Sequence, residues 1–318
     1  MTKGQGSRIS LGESTTQDIR CVLKDAMARL RAGNVPSHTL AAELLLMNVL
    51  GRDRAWLYAH PEEAVAPALA EKYFALIERR VSGVPTQYLT GKQEFWGLEF
   101  EVGPGVLIPR PETEHVIEVA LARLGPPRED EATQRGAGMR IADIGTGSGC
   151  LAIALARELP GATFVATDIS ADALAYARRN AARHGVAHRI EFVQCNLLDA
   201  CNSSLDTHHS SLPFDLIVSN PPYVARDEAE LLPVEVRAHE PAEALFGGAE
   251  GHELYQPLVT QVKNRLRAGG IFVVELSYNA LARVEPLLAS PRDWTDVAIT
   301  HDLAGIPRIL SAIRKGRN

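Results

Sequence analysis

Phe214-Asp215-Leu216-Ile217-Val218-Ser219-Asn220-Pro221-Pro222-Tyr223 runs from a short apolar segment into a pair of prolines. The segment Phe214 to Ser219 reads as a buried strand. The prolines stop it, because neither can donate to a ladder and each fixes its own φ. The residue before a proline is pushed toward extended geometry, so Asn220 is expected at the strand's carboxyl end with its amide facing outward. In an open parallel sheet, ligands bind at that end. A plain strand-ending turn would use the same residue types. This tetrapeptide also offers the carboxamide oxygen of Asn220 and the backbone carbonyl of Pro221 as two acceptors, with the flat face of Tyr223 beside them. Two acceptors at a fixed angle can hold both hydrogens of a planar NH2 group.

Upstream, strand and helix patterns alternate: Arg140 to Ile144, Cys150 to Leu159, Thr163 to Thr167, Ala171 to His184, and Ile190 to Val193. Downstream, Leu254 to Leu266 reads as helix and Gly270 to Leu276 as a buried strand. A helix over Ala280 to Leu288 and two short strands, Val297 to Thr300 and Arg308 to Ile313, follow. This alternation predicts a doubly wound, Rossmann-like α/β domain over residues 111–318, with loop inserts at 125–138 and 200–212.

Asp143-Ile144-Gly145-Thr146-Gly147-Ser148-Gly149 follows the first of these strands and opens a helix. Glycines there let the backbone turn tightly and let a ligand approach the main chain. Such loops are shared by dinucleotide, nucleotide and adenosylmethionine sites. Here the third glycine comes two residues after the second, which departs from the dinucleotide spacing. Asp168 ends the next strand, about 20 residues on, where it can accept from ribose hydroxyls.

Toward the amino terminus, residues 1–15 carry Gly, Ser, Thr and Gln and predict a disordered tail. Residues 16–90 read as a small helical bundle. Leu40, Leu44 and Met47 recur at helical spacing, as do Leu69, Tyr73, Leu76, Ile77 and Arg80. Asn34-Val35-Pro36-Ser37 separates the first two helices, with Ser37 the expected N-cap. Asp53 is expected to cap a short third helix, and Gly83 with Pro85 to end the last. Over 91–110 the period changes, Leu98, Phe100 and Val102 alternating with Glu99 and Glu101, which predicts a β-hairpin linker. Leu107-Ile108-Pro109-Arg110-Pro111-Glu112-Thr113-Glu114 then leads into a helix presenting Val116, Ile117, Ala120, Leu121 and Leu124 on one face. Glu112 and Glu114 fall in its first turn, where the macrodipole favours acids.

A length of 318 residues allows two domains with a sizeable core, and 46% hydrophobic against 23% charged residues fits an ordinary soluble globular chain. A net charge of −6 argues against a surface devoted to nucleic-acid phosphates. No apolar run reaches the length of a membrane span, and the first residues carry no signal-peptide core. Cys21, Cys150, Cys195 and Cys201 form no CxxC pair and read as reduced thiols of a cytoplasmic protein, not as metal ligands. His208-His209 sits in a Ser-rich insert and reads as solvated loop. We expect a monomer without membrane, nucleic-acid or metal partners.

The helical bundle, the GKQEFWG hairpin, LIPRPETE, DIGTGSG, Thr167-Asp168, SNPPY, EPAEALFGG and DLAGIPR follow one another in this chain. In that order they resemble the protein-(glutamine-N5) methyltransferases of peptide chain release factors, over about residues 16–315. DIGTGSG is common to many methyltransferases and NPPY to several amino-methylating families. LIPRPETE is the narrower mark, since a sister family acting on a ribosomal protein tends to have PRSP there. The resemblance implies S-adenosylmethionine as cofactor, held by Gly145, Thr146, Gly147, Ser148, Gly149 and Asp168, with Asn196 and Leu197 at the adenine and Asn220 at the reacting end. It implies that Asn220 and Pro221 hold the glutamine amide as the catalytic pair, with Pro222 and Tyr223 shaping the slot. Arg110 and Glu112 fall to substrate binding and the bundle to docking of the release factor. Two positions depart from the family. Asn196-Leu197 replaces an acid followed by an aromatic, so that Leu197 packs on a ring without stacking. Ser277 replaces a glycine at a strand end.

A glutamine amide nitrogen is a poor nucleophile, because its lone pair is delocalised into the carbonyl. The two acceptors would favour positive charge developing on that nitrogen. Positioning contributes roughly 7 to 11 kcal/mol in well-oriented systems, and neither a covalent intermediate nor a metal is needed. The substrate is then a release factor presenting glutamine on a Gly-Gly-Gln loop. The main rival is a nucleic-acid adenine-N6 methyltransferase, whose flipped base offers an exocyclic NH2 to the same acceptors. The acidic balance, the absence of a recognisable target-recognition domain and the N-terminal bundle count against it. A non-catalytic adenosylmethionine-binding scaffold is the third reading.

Overall fold

A computed structural model of the chain describes residues 17–126, 134–199 and 213–316. The expected tail at 1–15, residues 127–133 of the first loop insert and the whole of the second, with Cys201 and His208-His209, lie outside the described residues. The chain divides into two units, one ending at Thr90 and the other beginning at Gly91.

The first unit contains α1 (Ile19–Ala32), α2 (His38–Leu50), α3 (Arg54–Ala59), α4 (Pro67–Val81) and α5 (Thr86–Thr90). Two of these helices start on an aspartate cap: Asp18 accepts from the Cys21 N–H and Asp53 from the Trp56 N–H, each at 2.7 Å. Ser37 does not cap α2 as expected. Its φ of 49° places it in the left-handed region, from which its hydroxyl makes no cap hydrogen bond. Leu40, Leu44 and Met47 lie on a helix as their spacing predicts, but they do not mark its buried face. Leu40 is exposed and Leu44 and Met47 are half-buried, whereas Ala41, Ala42, Leu45, Leu46 and Val49 are buried. The α2 sequence is apolar almost all round, so helical spacing fits more than one face and packing against α1 and α4 chooses. Tyr73 and Ile77 of α4 are fully buried, and the Tyr73 hydroxyl donates to the Ala42 carbonyl at 2.9 Å.

The second unit opens with a hairpin, β1 (Lys92–Phe95) and β2 (Leu98–Glu101). Trp96 and Gly97 between them have φ of 54° and 68°. Two positive φ values in a two-residue loop make the type I′ turn whose twist matches the strands. Asn180 binds this hairpin to the rest of the unit. Its oxygen accepts from Glu101 N–H at 2.7 Å, while its amide nitrogen donates to the Glu101 carbonyl at 3.0 Å and the Ser148 carbonyl at 2.9 Å.

A 3-10 turn, Pro111–Thr113, leads into α6 (Glu114–Leu124). The chain continues through β3 (Arg140–Ile144), α7 (Cys150–Glu158), β4 (Thr163–Asp168), α8 (Ala171–Arg183), β5 (Ile190–Gln194) and β6 (Phe214–Ser219). Short elements follow: β7 (Val224–Ala225), α9 (Val234–Arg237), α10 (Ala242–Leu245) and β8 (Phe246–Gly248). The last are α11 (Tyr255–Arg265), β9 (Leu266–Glu275), α12 (Leu281–Val284), β10 (Trp294–His301) and β11 (Pro307–Arg314). Among the described residues a seven-stranded sheet has the order β10-β11-β9-β6-β3-β4-β5. The strands from β3 to β9 in that sheet pair in parallel, and β11 pairs antiparallel to β9 and β10. This is the expected doubly wound α/β sheet, closed by an antiparallel hairpin longer than the two short strands read from the sequence. The helix expected over Ala280 to Leu288 is reduced to α12 and a 3-10 turn over Glu285–Leu288 carrying Pro286.

Both sheet faces are buried. Leu216, Val218, Ile271 and Val273 face the side packed by α6 and α7, while Ile217, Phe272 and Val274 face the side packed by α11. Continuous apolar strands are what two-sided burial requires. Among the described residues no helix is long and apolar enough to cross a membrane.

Asn180→Ala strips three partners from Glu101 and Ser148. A fully buried orphaned group costs about one to three kcal/mol; because two of the three bonds are only part-buried, we expect a loss of about 2 to 4 kcal/mol, read as a lower midpoint in urea denaturation. An unchanged midpoint would show that solvent replaces the amide.

Candidate active site

The parallel order places β4 on one side of β3 and β6 on the other, so the carboxyl ends of β3 and β6 border a topological switch point. A cleft of about 300 Å³ opens there. One end is the glycine loop. Gly145, Gly147 and Gly149 all have positive φ, at 72°, 55° and 85°. A Cβ on Gly145 or Gly147 would meet nothing closer than 3.9 Å or 4.0 Å, so these two face open space. On Gly149 it would come within 2.9 Å of Ile153 and 3.2 Å of Ala177, so that glycine serves helix packing.

Polar contacts hold the loop from below. The Gly145 and Thr146 N–H groups both donate to the Thr167 carbonyl at 2.9 Å. Asp143, fully buried, accepts from the Thr146 hydroxyl at 2.6 Å and the Ala152 N–H at 3.1 Å. Burial pushes its carboxyl up to about 7. Asp168 lines the cleft, and its two oxygens accept from the Gly147 and Ser170 N–H groups, each at 2.9 Å. Burial raises its pKa, opposed by these hydrogen bonds. A carboxylate has about four acceptor sites, so Asp168 can brace the loop and still accept from a ligand hydroxyl.

Asn196 and Leu197 line the cleft, Leu197 with φ of 50°. Its apolar walls were not foreseen: Val106, Leu107, Pro109, Ile169, Ala244 and Phe246. Ile169, directly after Asp168, lines the cleft and is 59% exposed. Ser277 has no positive φ, so the position does not require a glycine; its carbonyl accepts from Ala280 N–H in the turn toward α12.

The other end of the cleft is Asn220, Pro221 and Pro222. The Ser219 hydroxyl donates to the Ile144 carbonyl at 2.8 Å, pinning the ends of β6 and β3 together. The Asn220 amide nitrogen donates to the Thr113 hydroxyl at 3.0 Å. Its oxygen, like the Pro221 carbonyl, meets no protein donor among the described residues. Thr113 stands inside LIPRPETE, yet nothing local in the sequence marks it as the partner of a residue 107 positions away.

Three expected site residues stand apart from the lining of the cleft: Gly149, Glu112 and Tyr223. Glu112 is exposed in the 3-10 turn. Tyr223 packs partly buried on the core, and its hydroxyl donates to Glu275 at 3.1 Å. Arg110 does line the cleft, with its guanidinium on Glu240, a buried acid whose second oxygen accepts from Ile108 N–H at 3.1 Å. LIPRPETE and EPAEALFGG are thereby joined.

Residues 22–91 match the PrmC N-terminal domain family, and residues 135–300 match a methyltransferase domain family. Similar chains include the release factor glutamine methyltransferase of Koribacter versatilis, 42% identical across 90% of this chain and 94% of that one. That of Bradyrhizobium diazoefficiens is 41% identical across 94% and 95%. Among solved structures, the hMettl16 catalytic domain in complex with the MAT2A 3'UTR hairpin 6 aligns with a TM-score of 0.52 at 19% identity, covering 82% of this chain and 92% of that one. A likeness at that identity concerns the fold alone.

Glu275, at the end of β9, is fully buried, and burial pushes its carboxyl up to about 7. Hydrogen bonds from Thr113 and Tyr223 and the charge of Arg308 oppose the rise, while Glu112 adds to it. Between about 4.5 and about 7 the folded chain keeps a proton that the unfolded chain has lost. Stability from this group is therefore present at the acid end and lost as pH rises through that window. Melting temperatures of wild type and Glu275→Gln across the window are expected to shift against the wild type with rising pH. A constant difference would show that the carboxyl titrates normally.

Proposed function

The chain belongs to the release factor glutamine methyltransferases, and on that footing we propose that it methylates the side-chain amide nitrogen, N5, of the glutamine in a Gly-Gly-Gln loop of a release factor. It is an S-adenosylmethionine-dependent enzyme with a release factor as substrate. The observation that carries the atomic reading is the pair of acceptors, Asn220 Oδ1 and the Pro221 carbonyl, free of protein donors beside the glycine loop.

The cleft fits the cofactor. Gly145 and Gly147 leave room against the main chain, Asp168 retains acceptor sites for ribose hydroxyls, and Ile169 and Leu197 offer apolar surface to an adenine ring. When bound, S-adenosylmethionine supplies an electrophilic methyl on a sulfonium sulfur. Asn220 and Pro221 accept the two N–H groups of the glutamine amide, orienting the nitrogen and favouring the positive charge that grows on it. Pro222 narrows the slot, so that glycines flanking the glutamine let the loop enter. Arg110, held by Glu240, adds a cationic wall. The helical unit is proposed to grip the body of the release factor, since remote contacts hold the loop in register.

A flipped adenine would also satisfy the two acceptors. The glutamine reading is preferred because the relatives match across both the N-terminal and the methyltransferase regions. Incubating the chain with methyl-labelled cofactor and a purified release factor is expected to label the factor at its Gly-Gly-Gln glutamine. Exchange of that glutamine for glutamate removes the NH2 and is expected to abolish labelling; persistent label elsewhere would overturn the assignment. Asn220→Ala is expected to slow single-turnover transfer by about 10²- to 10³-fold, or about 2.7 to 4 kcal/mol, with cofactor affinity within a few-fold. A wild-type rate would reduce Asn220 to a turn residue.

A further inference from the structure

We propose that Leu303 and Leu231 form an apolar rim beside the active site on which the release factor docks. Both belong to the methyltransferase unit, and the role assigned to them rests on the reading that a release-factor glutamine reaches Asn220 and Pro221.

The sheet order puts both residues at the end where that glutamine enters. Ser219 pairs with Val274, so the residues after β9 leave the sheet at the level of Asn220. β11 runs antiparallel to β9 with Ile309 opposite Glu275, and the Leu276 N–H donates to the Arg308 carbonyl at 2.7 Å. β10 in turn pairs His301 with Pro307. The turn over 302–306 between β10 and β11 therefore stands at the same end of the sheet as Asn220. Leu231 lies on the segment that follows Tyr223, in a 3-10 turn over Arg226–Leu231. The Tyr278 hydroxyl, just beyond β9, donates to Glu228 of that turn at 3.1 Å. Residues three apart in a 3-10 helix eclipse one another, so Glu228 and Leu231 share a side of it.

Single exposed leucines are ordinary on a protein surface, but these belong to a group. Among the described residues of this unit, the large exposed hydrophobics are Ile169, Leu231, Val234, Tyr278, Val297 and Leu303. All except Val297 lie on segments that leave the sheet at the end bearing Asn220. The turn that carries Leu303 is also firmly built. Asp302 Oδ1 accepts from the Ala304 and Ile306 N–H groups, each at 2.9 Å, and Oδ2 from Arg308 Nε at 2.9 Å. The Asp302 N–H donates to the Ile306 carbonyl and the Gly305 N–H to the Asp302 carbonyl, both at 2.9 Å, with Gly305 at φ of 76°. The leucine held this way is fully exposed, and DLAGIPR has no residue in the lining of the cleft. An apolar side chain fixed in advance loses little entropy when a partner covers it.

The occupant follows from the reaction. The glutamine belongs to a protein, so when it reaches Asn220 the body of that protein must cover the surface around the mouth of the cleft. An apolar rim there is exposed in the free chain and buried in the complex.

The test uses the full-length chain, a purified release factor and methyl-labelled S-adenosylmethionine. Both side chains are exposed, so Leu303→Ser and Leu231→Ser are expected to melt as wild type. Each is expected to raise KM for the factor, and the dissociation constant of the complex, by about 10-fold, the lower end of what burying a leucine contributes. The double variant is expected to raise both further. Cofactor affinity and the single-turnover rate at saturating factor are expected to stay within about twofold. Val297→Ser, an exposed position within β10, is expected to leave both constants unchanged. A wild-type KM in the double variant overturns the proposal, and so does an equal rise in Val297→Ser. A lower melting temperature, or cofactor binding that weakens in step with KM, shows a structural role and overturns it too. If the variants instead change the sedimentation of the chain alone, the rim joins two copies of the chain and the release factor is not its occupant. Failure of the wild type to label the factor would sink the functional reading itself, whereas wild-type labelling with unchanged KM in the variants sinks the rim alone.

Discussion

The pairing of β3 between β4 and β6 is the constraint on which the site depends. Ile144 is opposite Thr167 on one side and Ser219 on the other, so three chain segments leave the sheet at one level. The glycine loop, Asp168 and Asn220 are the residues that leave there. The buried hydrogen bond from Ser219 to the Ile144 carbonyl keeps the first and last of these from drifting apart. Because β4 and β6 flank β3 on opposite sides, the connections diverge and open a crevice that side chains alone would not need to carve.

Around this crevice the molecule holds acids that a fold selected for stability alone would not keep. Asp143, Glu240 and Glu275 are all buried. Apolar replacements of buried ionic groups are often neutral or stabilising, so the role of these acids lies in the geometry they impose. Asp143 holds the turn of the glycine loop through Thr146 and Ala152. Glu240 gathers Arg110 and Ile108. Glu275 accepts from the Tyr223 hydroxyl. Glu240 and Glu275 join segments distant in sequence, whereas Asp143 ties a loop to the helix it opens. Asn180 plays the neutral counterpart, tying hairpin, α8 and glycine loop through one amide.

Much of this was legible in the chain itself. The alternation of apolar runs, the proline stop after Ser219 and the glycine spacing after Ile144 are each complete within a few residues. They led to the doubly wound sheet and to the glycine loop, Asp168 and Asn220 at the two ends of the cleft. Local pattern was weaker where it was degenerate. The second helix is apolar on nearly every side, and only its neighbours selected Leu45 and Leu46 over Leu40 and Leu44. Ser37 has a capping residue's chemistry but a backbone that turns it away from the task.

Sequence by itself determined the elements, their order and the chemical groups available at the strand ends, because strand, turn and cap preferences act over a few neighbouring residues. Tertiary structure decided which way those groups face. The Tyr223 hydroxyl donates to a glutamate 52 residues later, and the Asn220 amide donates to a threonine 107 residues earlier. Neither distance leaves a periodic or local trace. A hydrogen bond needs its donor and acceptor within about 3 Å, and only the folded chain brought these partners into reach.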